Sequence, residues 1–289
     1  MPQGLYRGMG RAEIDRQMNL RARWPEHADF FARWAAESAA ARARLAGHVD
    51  LPYGESAGQT LDLFLPPPGR TPPPLLAFVH GGYWQSLDKG DFSYLAPPFL
   101  DAGIAFASLN YDLAPQITIP EIVGQIRRAI RWLARQAGTY GYDRERIFAI
   151  GHSAGGHLAV MAGLAGDPTN GPSNTPIKGT CAISGVYELE PVRRSYHQDI
   201  LHLDDATVQA MSPVRLAPSR AGPLILAVGG DETEEFLHQQ AALAAAWRAR
   251  GLSVRTVDLP GRHHFSSVDA LAEAEHPLCA AVRDMARGA

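Results

Sequence analysis

Two kinds of apolar run alternate along the chain. Short, nearly continuous apolar stretches recur at 75–79 (LLAFV), 104–109 (IAFASL), 147–150 (IFAI), 180–184 (TCAIS) and 224–228 (LILAV), with a later one at 253–257. Their length and β-branched content predict buried strands. Between them, 91–101, 120–137, 154–165, 234–250 and 276–287 read as helices; in the second, Ile122, Ile126, Ile130 and Leu133 repeat at the spacing of one helical face. This alternation predicts an α/β fold: a mostly parallel central sheet covered by helices on both faces, with the active loops at the carboxyl ends of the strands. Two earlier strands, 48–53 and 60–65, are separated by a short glycine-containing turn and are candidates for an antiparallel start to the sheet.

The amino-terminal region reads as two helices, 12–20 and 26–46, the second carrying Phe30, Phe31, Trp34, Ala41 and Leu45. The bland reading of that apolar face is docking on the main body or on another subunit; direct ligand contact is the alternative. The stiff proline-rich segment 66–74 (PPPGRTPPP) reads as an internal loop, because the residues before it lack enough elements for a core of their own. One domain spanning 1–289 follows, with helical decoration at 1–46 and a small cap insertion at 186–222.

Composition narrows the function classes. The 289 residues are 46% hydrophobic and 20% charged, with 27 basic against 30 acidic side chains, which suits a large core and offers no basic field for a nucleic-acid backbone. No uncharged apolar run approaches the roughly 20 residues that span a bilayer, and the amino terminus does not resemble a signal peptide. Cys181 and Cys279 stand far apart, outside any thiolate metal spacing, and no HExxH motif is present. A cytoplasmic small-molecule enzyme without metal or organic cofactor is expected; the sequence leaves open a homodimer through an outer helix or edge strand.

The chemistry concentrates in IFAIGHSAGG at 147–156. It sets Gly-His-Ser-Ala-Gly between a predicted strand and a predicted helix, the arrangement that holds a serine hydroxyl on a tight, strained apex. Ser153 is the expected nucleophile, although a serine between glycines is also ordinary turn chemistry. Such a hydroxyl needs a base, and the base needs a carboxylate. LILAVGGDE puts Asp231 just beyond a late strand as the expected acid, against a plain helix cap. Glu232, Glu234 and Glu235 could cap or solvate the following helix, and Asp258 and Asp269 are less well placed alternatives for the acid. In LPGRHHFSSVD, His264 is the expected base and His263 the alternative. HGGYW at 80–84 ends a strong strand, so the amides of Gly82 and Tyr83 are expected to join that of Ala154 around an oxyanion. Tyr83, Trp84, Tyr111 and Tyr187 are the expected substrate-pocket aromatics, Trp84 being equally explicable as packing beneath the loop. Cys181, inside an apolar strand, reads as structural.

HGGYW, GHSAGG, the GGD containing Asp231 and the late HHF together resemble the arylformamidase, or kynurenine formamidase, branch of the α/β hydrolases, over residues 12–287. The resemblance implies the three-layer α/β-hydrolase fold and the same roles for Ser153, Asp231 and His264. It also implies hydrolysis of N-formyl-L-kynurenine to L-kynurenine and formate through a formyl-serine intermediate. A short-chain or aryl-ester carboxylesterase with the same centre is the alternative, and a noncatalytic binding protein on this scaffold is the reading from a different class.

Overall fold

A computed structural model describes residues 5–164, 175–216, 218 and 221–288. Eight strands, β1 (Gly47–Pro52), β2 (Thr60–Phe64), β3 (Leu75–Val79), β4 (Ala105–Leu109), β5 (Ile147–His152), β6 (Ile177–Ile183), β7 (Leu224–Gly229) and β8 (Val254–Leu259), form one sheet in the order β1-β2-β4-β3-β5-β6-β7-β8. The β1–β2 and β2–β4 pairs are antiparallel and every later pair is parallel. Every residue of β3, β4, β5 and β7 is buried, as expected of parallel strands shielded on both faces. Because β2 pairs with β4, the proline-rich loop at 66–74 lies within one sheet rather than between two cores.

The helix Ile119–Tyr140 illustrates how local chemistry sets these elements. Thr118 and Glu121 form a reciprocal capping box at its start, and Gly141, at φ +82°, ends it in the left-handed region. Its stripe of Ile122, Ile126, Ile130 and Leu133 is fully buried. The expected helix at 91–101 is instead broken into the 3-10 turns Lys89–Asp91 and Ser93–Leu95 and the short helix Pro97–Leu100. Pro97 and Pro98 supply no amide protons to a preceding turn, so a helix can begin there but not run through. At the amino end, helices Arg11–Met18, Leu20–Arg23 and His27–Arg44 replace the two predicted. The segment 186–222 carries the short helices Glu190–Arg193, Gln198–Leu201 and Asp205–Met211.

Candidate active site

Ser153 sits between β5 and the helix Ala154–Gly163 at φ +57°, ψ −123°, a conformation that L-residues adopt only under constraint. The constraint is visible in the flanking glycines. A Cβ on Gly155 would stand 2.0 Å from the Val79 carbonyl oxygen, and one on Gly151 2.0 Å from that of Gly155. Only glycine lets the helix start press against β3 and the turn close behind the serine. Its amide donates to the Ile183 carbonyl at 2.8 Å, which ties the apex to β6.

His264 begins the short helix Ser267 closes, and its Nδ1 lies 2.7 Å from Glu232 Oε2, both side chains being buried. A carboxylate acceptor places the proton on Nδ1 and leaves Nε2 as the basic nitrogen. The expected acid, Asp231, is displaced from this position by its neighbour. Asp231 is exposed, and its backbone amide donates to the Arg262 carbonyl at 3.0 Å. The turn after β7 brings Glu232 back over Gly229, whose amide donates to Oε1 at 3.0 Å, and Ser184 Oγ donates to the same oxygen. The extra methylene of glutamate spans what an aspartate one residue earlier does not. Of the other acids, Asp258 is exposed on β8, and Asp269 binds Arg33, Trp34 Nε1 and Tyr94 in a structural cluster.

His263, the alternative base, points elsewhere. Its ring stacks on Trp24 at 5.3 Å and its Nδ1 accepts from the Phe265 amide, so it caps the helix that carries His264. His152, absent from the sequence-based site, joins the two halves instead. Burial holds its imidazole well below the usual histidine range, and the neutral ring donates Nε2–H to the His264 carbonyl at 2.9 Å.

The HGGYW loop lies directly against the serine: a Cβ on Gly81 would be 2.9 Å from both Ser153 Cβ and the His152 carbonyl oxygen. Gly82, Tyr83 and Trp84 follow with φ of +100°, +50° and +59°. Three successive positive φ values make this loop a constrained turn held beside the serine. Ser153, His264, His152, Gly82 and Tyr83 line one cavity with Leu20, Arg21, Phe31, Trp34, Leu87 and Phe265. The cavity is narrow and partly open to solvent, with a volume of about 30 Å³.

With this geometry established, comparison with known proteins places the chain. Residues 61–241, more than half of its length and including both Ser153 and Glu232, match the family model BD-FAE. The chain belongs to the BD-FAE family. The chain of this BD-FAE member is 32% identical over 235 residues to a kynurenine formamidase of Danio rerio, covering 80% of this chain and 78% of that protein. It is 30% identical to the esterase LipQ of Mycobacterium tuberculosis over 74% of this chain and 56% of LipQ. A crystal structure of a candidate thioesterase from Silicibacter sp. tm1040 superposes with a TM-score of 0.82 at 34% identity, covering 93% of this chain and 98% of that one. The fold is that of the α/β hydrolases, and the protein is a hydrolase of the arylformamidase or carboxylesterase kind.

Three of the four expected pocket aromatics of this BD-FAE member lie outside the cavity. Trp84 is fully buried beneath the loop, edge-on to His157 at 5.1 Å. Tyr111 stacks on His80 at 4.3 Å and gives its hydroxyl to the His80 carbonyl, supporting the HGG turn from behind. Tyr187 is buried against a separate pocket lined by Tyr6, Glu188 and Gln239. Only Tyr83 lines the site, its hydroxyl bonded to the Met18 carbonyl at 2.8 Å and its ring 3.8 Å from that of His197 in the 186–222 segment. Leu20, Arg21, Phe31 and Trp34 from the amino-terminal helices complete the walls with Leu87 and Phe265, so the apolar face of those helices meets the cavity as well as the protein body. Their repeat spacing alone gave no sign of which. Cys181 is fully buried in β6, and no group of three or more metal-ligating side chains is assembled among the described residues.

Proposed function

We propose that this protein is a cofactor-independent serine hydrolase in which Ser153 is the nucleophile, His264 the base and Glu232 the acid that orients and charges-balances it, and that its substrate is N-formyl-L-kynurenine. The observation that carries the catalytic reading is the buried 2.7 Å contact between His264 and Glu232 beside a strained serine apex. A buried carboxylate and a serine at positive φ are both unfavourable in themselves, so finding them together supports a functional role. The choice of formamide rests on the likeness to the kynurenine formamidase of Danio rerio.

The reaction follows from the groups present. His264 Nε2 takes the Ser153 proton as Oγ attacks the formyl carbon, and Glu232 stabilises the resulting imidazolium. The amides of Gly82, Tyr83 and Ala154 receive the negative oxygen; Ala154 is the first residue of its helix, so its N–H has no intrahelical acceptor. His264 then gives its proton to the departing arylamine nitrogen. Water, activated by the same imidazole, releases formate from the formyl-serine. A hydrogen on the acyl carbon asks for almost no room, which suits the narrow cavity; the aryl group would lie along Phe31, Trp34, Leu87 and Phe265. The enzyme would act in the cytoplasm, where its two buried, unpaired cysteines stay reduced.

A carboxylesterase acting on short-chain or aryl esters is the second reading, favoured by the likeness to LipQ. Formate release from N-formyl-L-kynurenine and acid release from short-chain aryl esters, compared as kcat/KM for the protein and for Ser153→Ala, separate the two. Efficient formate release lost in the variant is expected. Ester turnover with negligible formamide turnover would move the assignment to the esterase.

A further inference from the structure

Eleven residues line the cavity, and Arg21 is the one among them whose charge is permanent. It stands on the short helix Leu20–Arg23, exposed at the cavity rim, with Nη2 donating to Ser86 Oγ at 2.9 Å and its guanidinium 5.5 Å from the centroid of the Phe31 ring. No carboxylate pairs with it among the described residues. Arg7, Arg11, Arg16 and Arg33 on the same amino-terminal segment each have a carboxylate partner. Arg23 lies over the Trp24 ring and is not part of the cavity lining. Arg21 is therefore, among the described residues, an unneutralised cation held by two contacts at the mouth of the cavity.

Ser86 links that cation to the reaction centre. Its Oγ also donates to the Gly82 carbonyl at 3.2 Å, and Gly82 belongs to the loop pressed against Ser153. The guanidinium has donors to spare after bonding Ser86, and a planar fork of donors suits a carboxylate. We infer that Arg21 is the specificity determinant of this hydrolase: it binds a carboxylate on the substrate and selects anionic aryl formamides or esters over neutral ones. Naming formamides rests on the function proposed above; the charge preference does not. Because Arg21 reaches solvent, the preference is moderate, about tenfold, and weakens as salt is raised.

The test compares N-formyl-L-kynurenine with its α-carboxamide in the wild-type protein, Arg21→Ala and Arg21→Lys. The wild type is expected to favour the acid about tenfold in kcat/KM, chiefly through KM. Arg21→Ala loses that ratio, Arg21→Lys keeps part of it, and added salt lowers it in the wild type and in Arg21→Lys but not in Arg21→Ala. A wild type indifferent to the carboxylate, or a ratio unchanged in Arg21→Ala, overturns the inference; a purely structural tie to Ser86 would lower both substrates alike. If the wild type releases formate from neither compound, the formamidase reading fails by itself. The same ratio taken between aryl acetates with and without a carboxylate then decides the role of Arg21.

Discussion

Replacing Glu232 by glutamine removes one charge from the buried pair and leaves its shape nearly intact. In the transition state proposed above, His264 becomes an imidazolium whose Nδ1 lies 2.7 Å from the carboxylate, with neither side chain reaching bulk water. Two unit charges about 4 Å apart, at the effective dielectric that describes protein sites, attract by about 4 kcal/mol. Since about 1.4 kcal/mol is a factor of ten, kcat should fall about a thousandfold. The amide adds to the loss, because its NH2 can donate to Nδ1 and stabilise the tautomer that carries its proton on Nε2, where it cannot accept from Ser153. Gly229 and Ser184 still find an oxygen acceptor at position 232, so folding should survive, as thermal unfolding would verify. Asp231→Asn is the matched control: the residue is exposed, and its rate should stay within about threefold of wild type. A thousandfold loss in Asp231→Asn with near-normal turnover in Glu232→Gln would refute the assignment of the acid.

Buried histidines, the Gly81 contact and the Trp84 packing each have a measurable consequence. His157 and His197 are held down to about 4 by burial, so the unfolded chain binds more protons than the folded one between about pH 6.5 and 4. Stability should therefore fall as pH drops through that window, each histidine contributing up to about 3 kcal/mol, and His197→Phe should flatten the acid limb of Tm against pH. In Gly81→Ala the new methyl meets Ser153 Cβ and the His152 carbonyl at 2.9 Å, so the oxyanion loop must shift; kcat should drop about a hundredfold while circular dichroism stays native. Trp84→Phe should cost less than about 2 kcal/mol in denaturant unfolding, since the indole Nε1 has no hydrogen-bond partner to lose among the described residues, whereas Trp84→Ala should cost about 3–5 kcal/mol.

How legible these features were depended on how local their causes are. Strands such as 75–79 announce themselves because burial on both faces demands continuous apolar residues, and Ser153 because a strained apex demands small neighbours on both sides. The proposed base was nearly as legible, since His264 follows a strand in the order proposed for it; what separates it from His263 is the stacking of His263 on Trp24, a residue far away in sequence. The carboxylate that meets His264 lies one position beyond the expected Asp231. Four acidic residues crowd 231–235, and which of them turns inward is set by the backbone of the turn and by Ser184 and Gly229, none of which has a sequence pattern. The pocket was least legible of all. Leu20, Arg21, Phe31 and Trp34 reach it only because the amino-terminal helices fold back over the serine, while Tyr111 and Tyr187 are drawn away by packing partners.

The central claim, that hydrolysis passes through an acyl or formyl group on Ser153, is tested most directly by covalent trapping. An aryl fluorophosphonate, which leaves its phosphonyl group on an activated serine, is incubated with the protein and the labelled peptide is identified by mass spectrometry. One adduct per chain on Ser153 is predicted, with Ser153→Ala unlabelled and devoid of hydrolysis, and with Glu232→Gln labelled far more slowly than wild type. Labelling at another serine, or substrate hydrolysis that persists in Ser153→Ala, would contradict it.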